Sequence, residues 1–132
     1  MKNSAFGYQA LMNNQGSGNA ATGYAALFTN TTGTNNTANG NWTLFSNTSG
    51  VFNTASGHQA LFTNTTGQGN TAIGKDALYS NVSGNYNSAL GYAANVGSGN
   101  LSFATAIGSG AVVNASYKIR LGNTATSVEA TG

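Results

Sequence analysis

The chain repeats itself every 17 residues, and no other feature limits its possible folds as much. Asn19, Asn36, Asn53, Asn70 and Asn87 each open a similar phrase. The clearest copy runs Asn70-Thr71-Ala72-Ile73-Gly74-Lys75-Asp76-Ala77-Leu78-Tyr79-Ser80-Asn81 and closes at Gly84. Asn3-Ser4-Ala5-Phe6-Gly7 fits with one deletion, and Ala104-Thr105-Ala106-Ile107-Gly108 keeps the phase without its Asn. The third position is Ala in every copy, from Ala5 through Ala72 to Ala106, and the fifth is Gly, from Gly7 through Gly74 to Gly108. The ninth is Leu in five consecutive copies, Leu11, Leu27, Leu44, Leu61 and Leu78, each followed by Met or an aromatic residue.

A repeat this short excludes helical-pair architectures, whose units exceed about 30 residues. Two Gly and a Thr-rich tract per unit are also poor for helix. The pattern predicts two short strands per unit. One runs through Asn-Thr-Ala to the Gly turn, the other through Ala-Leu-Phe/Tyr to an Asn-Thr-Thr-Gly turn. Stacked coils, about 4.8 Å apart, set like residues on like, so seven of them make a rod of roughly 34 Å. Asn on Asn forms side-chain amide ladders, which explains Asn70 and its counterparts without any catalysis. Ala in the third column implies close approach, between the walls of a coil or between chains.

Composition would otherwise argue against folding. Asn, Gly, Thr and Ser make up 69 of 132 residues, while Leu, Ile, Val and Phe supply 17%. So little core suggests disorder, yet the chain has 5% charged residues and no Pro, and it keeps strict phase. One Leu, one aromatic and a few Ala per coil leave a single solenoid marginal, so association of several chains is expected. The organisation divides into 17-residue coils over 1–95 and degenerate terminal coils with a C-terminal strand over 96–132. In the second part Asn95-Val96-Gly97-Ser98-Gly99-Asn100 reads as a loop replacing the Leu-aromatic pair. The spacing then drops to 14 between Gly108 and Gly122, and Tyr117-Lys118-Ile119-Arg120-Leu121-Gly122-Asn123 alternates as an exposed strand does.

The phrase Asn70-Thr71-Ala72-Ile73-Gly74, with Ala77-Leu78-Tyr79 and a Gly-closed turn, resembles the repeats of phage tail-fibre-like proteins. It is also similar to the head repeats of trimeric autotransporter adhesins, whose shorter unit matches the 14-residue spacing. Ala104-Thr105-Ala106-Ile107-Gly108 and Ile119-Arg120-Leu121-Gly122-Asn123 resemble the end of such a head before the next module. The resemblance covers nearly the whole chain. It implies an all-β fold, a left-handed parallel β-roll (β-solenoid) interlocked as a homotrimer, and an extracellular place on a virion tail fibre or a bacterial surface. An intramolecular chaperone often follows such segments in related fibres. No residue here matches it, so the chain reads as a segment leading to a missing module or as a released product.

Catalysis is poorly supplied. His58 is the single imidazole, Asp76 sits beside Lys75, and Glu129 lies in the tail. Paired carboxylates, a Ser–His–Asp set or a metal cluster would need residues the chain lacks, so no enzyme, cofactor or metal is expected. Four cations and two acids give a charge of +2 without a basic patch, which argues against nucleic acid. No apolar run approaches membrane-spanning length, which argues against insertion. Sequons at Asn30, Asn47, Asn64 and Asn81, among others, arise from the Asn- and Thr-rich composition.

The columns after the Gly turn are more informative. Tyr8, Tyr24, Trp42, His58 and Tyr92 follow it on successive coils, interrupted by Lys75 and Asp76. Stacking aligns them into a partly aromatic stripe suited to sugar rings, and the nearly uncharged surface favours a neutral glycan or cell-surface polymer. The expected function is a structural and adhesive fibre segment, a rigid trimeric rod that spaces or presents a cell-surface binding face. The alternative is an ice-binding β-solenoid. Thr37, Thr54, Thr71 and Thr105 share one column, although Ser4, Ala20 and Ser88 interrupt it.

Overall fold

Each Asn-Thr-Ala phrase forms one short strand that pairs in parallel with its copies on either side. The computed structural model describes residues 2–123, and its elements are all strands. They are β1 (Ser4–Phe6), β2 (Ala20–Thr22), β3 (Thr37–Asn39), β4 (Thr54–Ser56), β5 (Thr71–Ile73), β6 (Ser88–Leu90), β7 (Asn95–Val96), β8 (Thr105–Ile107), β9 (Val112–Val113) and β10 (Ile119–Leu121). Eight of them stack in the order β1-β2-β3-β4-β5-β6-β8-β10, and β7 pairs with β9 in a second, two-stranded sheet. The chain is a parallel β-solenoid of about seven turns. Register preserves the columns: Ala38 pairs with Ala55, Ala55 with Ala72 and Ala72 with Ala89. The step then shortens to 14 where Ala106 meets Arg120.

The interior is narrow because its walls are Ala. Ala21, Ala38, Ala55, Ala72 and Ala89 face Ala26, Ala60, Ala77 and Ala94 and the Leu file Leu27, Leu44, Leu61 and Leu78, all buried. Thr43 takes an Ala position on this wall, where its hydroxyl donates to the Gly57 carbonyl at 2.6 Å. At the last coil the inward column is filled by Arg120, whose Nε donates to the Gly122 carbonyl.

Two columns of asparagine flank the apolar strip. In the first, Asn53 Nδ2 donates to Asn36 Oδ1 at 3.1 Å and to the Gly67 carbonyl at 2.8 Å. Its own Oδ1 accepts the Asn70 backbone N–H and Asn70 Nδ2. The second column is Asn30, Asn47, Asn64 and Asn81, which the sequence reading had left in a turn. Asn64 Nδ2 donates to Asn47 Oδ1 at 2.9 Å and to the same Gly67 carbonyl at 3.1 Å. One glycine carbonyl per coil therefore joins the two ladders. Neighbouring backbones come so close that a Cβ at Gly67 would lie 2.4 Å from Asn64 Oδ1 and 2.5 Å from the Gly84 carbonyl.

The expected second strand is absent from the first five coils. The Ala-Leu-Phe/Tyr segment is a turn there, with Leu11, Leu27, Leu44, Leu61 and Leu78 all at φ between 50° and 55°. Left-handed backbone costs a non-glycine residue about 1–2 kcal/mol. The coil tolerates it because its amides stay bonded across coils, Leu44 N–H to the Ala60 carbonyl and Leu61 N–H to the Ala77 carbonyl. The strand returns only at β7 and β9, where Val96 and Val113 replace the aromatic residue. A β-branched side chain favours extended backbone, so Asn95–Val96 is a strand and not the start of a loop.

Gly57 adopts φ +136°, and a Cβ there would stand 2.4 Å from the Gly74 carbonyl oxygen. Gly57→Ala is expected to lower unfolding free energy by about 3 kcal/mol or more. The exposed Thr66→Ala should change it by less than about 0.5 kcal/mol. Urea denaturation of both variants checks the contrast.

Candidate functional site

The aromatic stripe follows from where the chain leaves the glycine turn. Tyr8, Tyr24, His58 and Tyr92 occupy the first position after that glycine, while Trp42 comes one residue later, at φ 56°. The ring of Tyr8 stacks on that of Tyr24, with centroids 5.6 Å apart and planes 19° apart. Tyr24 meets Trp42 edge-on at 5.7 Å, and Trp42 meets His58 edge-on at 5.3 Å. Tyr92 lies two coils beyond His58, and the Lys75 ammonium sits 5.2 Å from its ring centroid. Four of the five candidate residues thus form one continuous file, and the fifth, Tyr92, stands apart from it beside the Lys75 ammonium. Tyr8, Tyr24 and Tyr92 are well exposed, and Trp42 is 37% exposed.

This file can stack on planar or ring-shaped ligands. It offers little for acid–base chemistry. His58 Nδ1 is covered and has no hydrogen-bond partner. The Asp76 carboxylate is tied to Lys75 at 2.9 Å, and that hydrogen bond and charge raise the pKa of the Lys75 ammonium. No group of three His, Cys, Asp or Glu that could hold a metal occurs among the described residues. Glu129 lies outside the described residues. Asn70, Ala72, Gly74 and Leu78 sit where an architectural role requires. Asn70, Ala72 and Leu78 are buried, and Gly74 turns the chain at φ +130°. The sequons at Asn30, Asn47, Asn64 and Asn81 are likewise buried inside the second ladder.

Two further aromatic files lie outside the candidate stripe. Phe28, Phe45, Phe62 and Tyr79 stack with planes 2–5° apart at 5.2–5.3 Å, half-buried over the Leu turn. They cover the apolar interior and are not part of it. Tyr86, Phe103 and Tyr117 stack at 5.1 and 5.0 Å at the corner leading into the sheet. Their 17- and then 14-residue spacing was the signal that could have found them.

No family model matches the chain, and no curated protein or solved structure does either.

Trp42 rests on the surface and Leu44 in the interior, so their truncations should separate. Leu44→Ala is expected to cost about 2–5 kcal/mol of stability. Trp42→Ala should cost about 1 kcal/mol, the worth of its edge contacts. Chemical denaturation, read by circular dichroism, distinguishes the two.

Proposed function

We propose that the chain is a non-enzymatic structural and adhesive fibre segment. In this reading three copies associate into an extracellular rod, and its aromatic file contacts a neutral glycan or cell-surface polymer. The observation that carries the reading is the outer face of the large sheet. Along the outward column the residues are Phe6, Thr22, Asn39 and Ser56 in the first four coils, then Ile73, Leu90, Ile107 and Leu121 without interruption. The latter four are 46%, 51%, 40% and 43% exposed. Ile119, Tyr86, Phe103 and Tyr117 are also exposed on the same coils.

An in-register apolar file on one chain is a surface in need of a partner. The eight side chains offer roughly 900 Å², against about 800 Å² per partner in a standard interface. Identical copies are a natural partner, because association also supplements an interior made mainly of Ala. The number three comes from the resemblance of the repeats to those of trimeric fibres. A rod of three chains would carry three aromatic files, and weak contacts repeated on one body gain avidity. The scarcity of charge favours a neutral ligand, and binding that varies little with salt.

The ice-binding alternative draws on the Thr37, Thr54 and Thr71 register. The next outward column carries Asn39, Ser56 and Ile73, which gives one file of Thr and not a flat two-file array. A thermal-hysteresis assay should therefore find none.

Analytical ultracentrifugation tests the assembly. The intact chain should sediment at three times its own mass, and Leu90→Lys with Ile107→Lys should reduce this to the mass of one chain. A stable, folded monomer of the unaltered chain would remove the trimer.

A further inference from the structure

We propose that a cleft across the fourth, fifth and sixth coils is a binding site for one neutral pyranose unit. It is lined by Gln59, Asp76, Tyr79, Ala93 and Asn95 and has a volume of about 360 Å³. That volume falls at the lower end of small-molecule sites, roughly 300–1,000 Å³. The proposal rests on the reading of the rod as sugar-binding and assigns it a concave site beside the exposed aromatic file.

A strictly periodic solenoid has ridges and grooves but no reason for a local cleft. This one forms where several departures from the repeat coincide. Asn95 stands where five earlier coils have Leu, and Val96 ends the aromatic file. Val96 is buried, so Tyr79 is the last ring of its stack and lines the cleft with Phe62 behind it. Ala93 follows Trp42, Gln59 and Asp76 in one column and leaves room where those side chains project. Asp76 is the single acid among the described residues, and it lies in the wall of this cleft.

The polar groups suit hydroxyls. The Gln59 amide and the Tyr79 phenol make no hydrogen bond within the described chain. Asp76 Oδ1 is covered and lacks a donor, while Oδ2 is held by Lys75 at 2.9 Å. The ion pair leaves the cleft nearly neutral, which disfavours a charged ligand. Oδ1 is therefore an unmet acceptor on a residue of the cleft wall. Asn95 is fixed by bonds to Ser80 and Val96, so that wall is rigid. A ring platform, an amide and a carboxylate around one open cleft match the alternating apolar faces and hydroxyl edges of a pyranose.

The test uses the intact isotope-labelled protein, titrated with the methyl glycosides of glucose, galactose and mannose and read by amide NMR. At least one glycoside should shift the Asp76, Tyr79, Ala93 and Asn95 resonances. Ala93→Trp should abolish those shifts by filling the cleft. It should still fold, since Trp42 occupies the same column at nearly the same φ, 56° against 52°. Asp76→Asn, which keeps the shape, should weaken binding about tenfold. Shifts confined to Tyr24, Trp42 and His58 would overturn the cleft and leave the sugar-binding rod standing. Shifts that persist in Ala93→Trp would also overturn it. No shift from any glycoside would remove both.

Discussion

Nine buried asparagine side chains must have their amides satisfied inside a rod, from groups of their own coil and of the coils beside it. Each unmet buried amide group costs about 1–3 kcal/mol. Two Nδ2 hydrogens and one Oδ1 find partners in the adjacent Asn and in the glycine carbonyl of their own coil. The ladders also meet near both ends: Asn87 donates to Asn81 Oδ1 toward the C-terminal side, and Asn14 Oδ1 accepts both Asn19 Nδ2 and Asn30 Nδ2 toward the other. A slip of one residue would turn these amides outward and the Thr and Ser of the outer face inward. Coil register is thus set by hydrogen bonding more than by apolar packing, which the small Ala side chains specify weakly.

The same constraint explains how the coil accepts strained backbone. Sixteen non-glycine residues of the described chain have positive φ, in columns that recur from coil to coil. Alone, each would oppose folding by about 1–2 kcal/mol. Held by amides bonded to the coils above and below, they let 17 residues close a turn with one strand and an Ala-lined interior. The outward positions are then free to vary. After Phe6 on the first coil, they carry polar residues on the next three coils, apolar ones on the later coils, and aromatic files along the turns.

Much of the architecture was legible because stacking converts sequence period into spatial register. Ala72, Gly74, Leu78 and Asn70 announced their columns, and the 14-residue step at the end was readable from Gly108 and Gly122. The Ala-Leu-Phe segment was misread as a strand because Leu gives no local hint of left-handed backbone. Cross-coil hydrogen bonds that no propensity reports make that conformation tolerable. Asn30, Asn47, Asn64 and Asn81 were hidden by their neighbours, since Asn among Thr and Ser looks like an ordinary turn. The file Ile73, Leu90, Ile107 and Leu121 fell in a column that reads as variable over the first coils. The stripe from Tyr8 to His58 was visible as spacing, but only the fold could bring Asp76, Tyr79 and Asn95 around one cleft.

Side-chain amide hydrogen exchange measures the asparagine ladders most directly. The Nδ2 protons of Asn36, Asn53 and Asn70 and of Asn47 and Asn64 should exchange as slowly as the backbone amides of β3, β4 and β5. The exposed side-chain amide of Asn39 should exchange at the rate of a free amide. Rapid exchange at the five buried asparagines, with the strand amides still protected, would contradict the claim that the ladders hold the rod together.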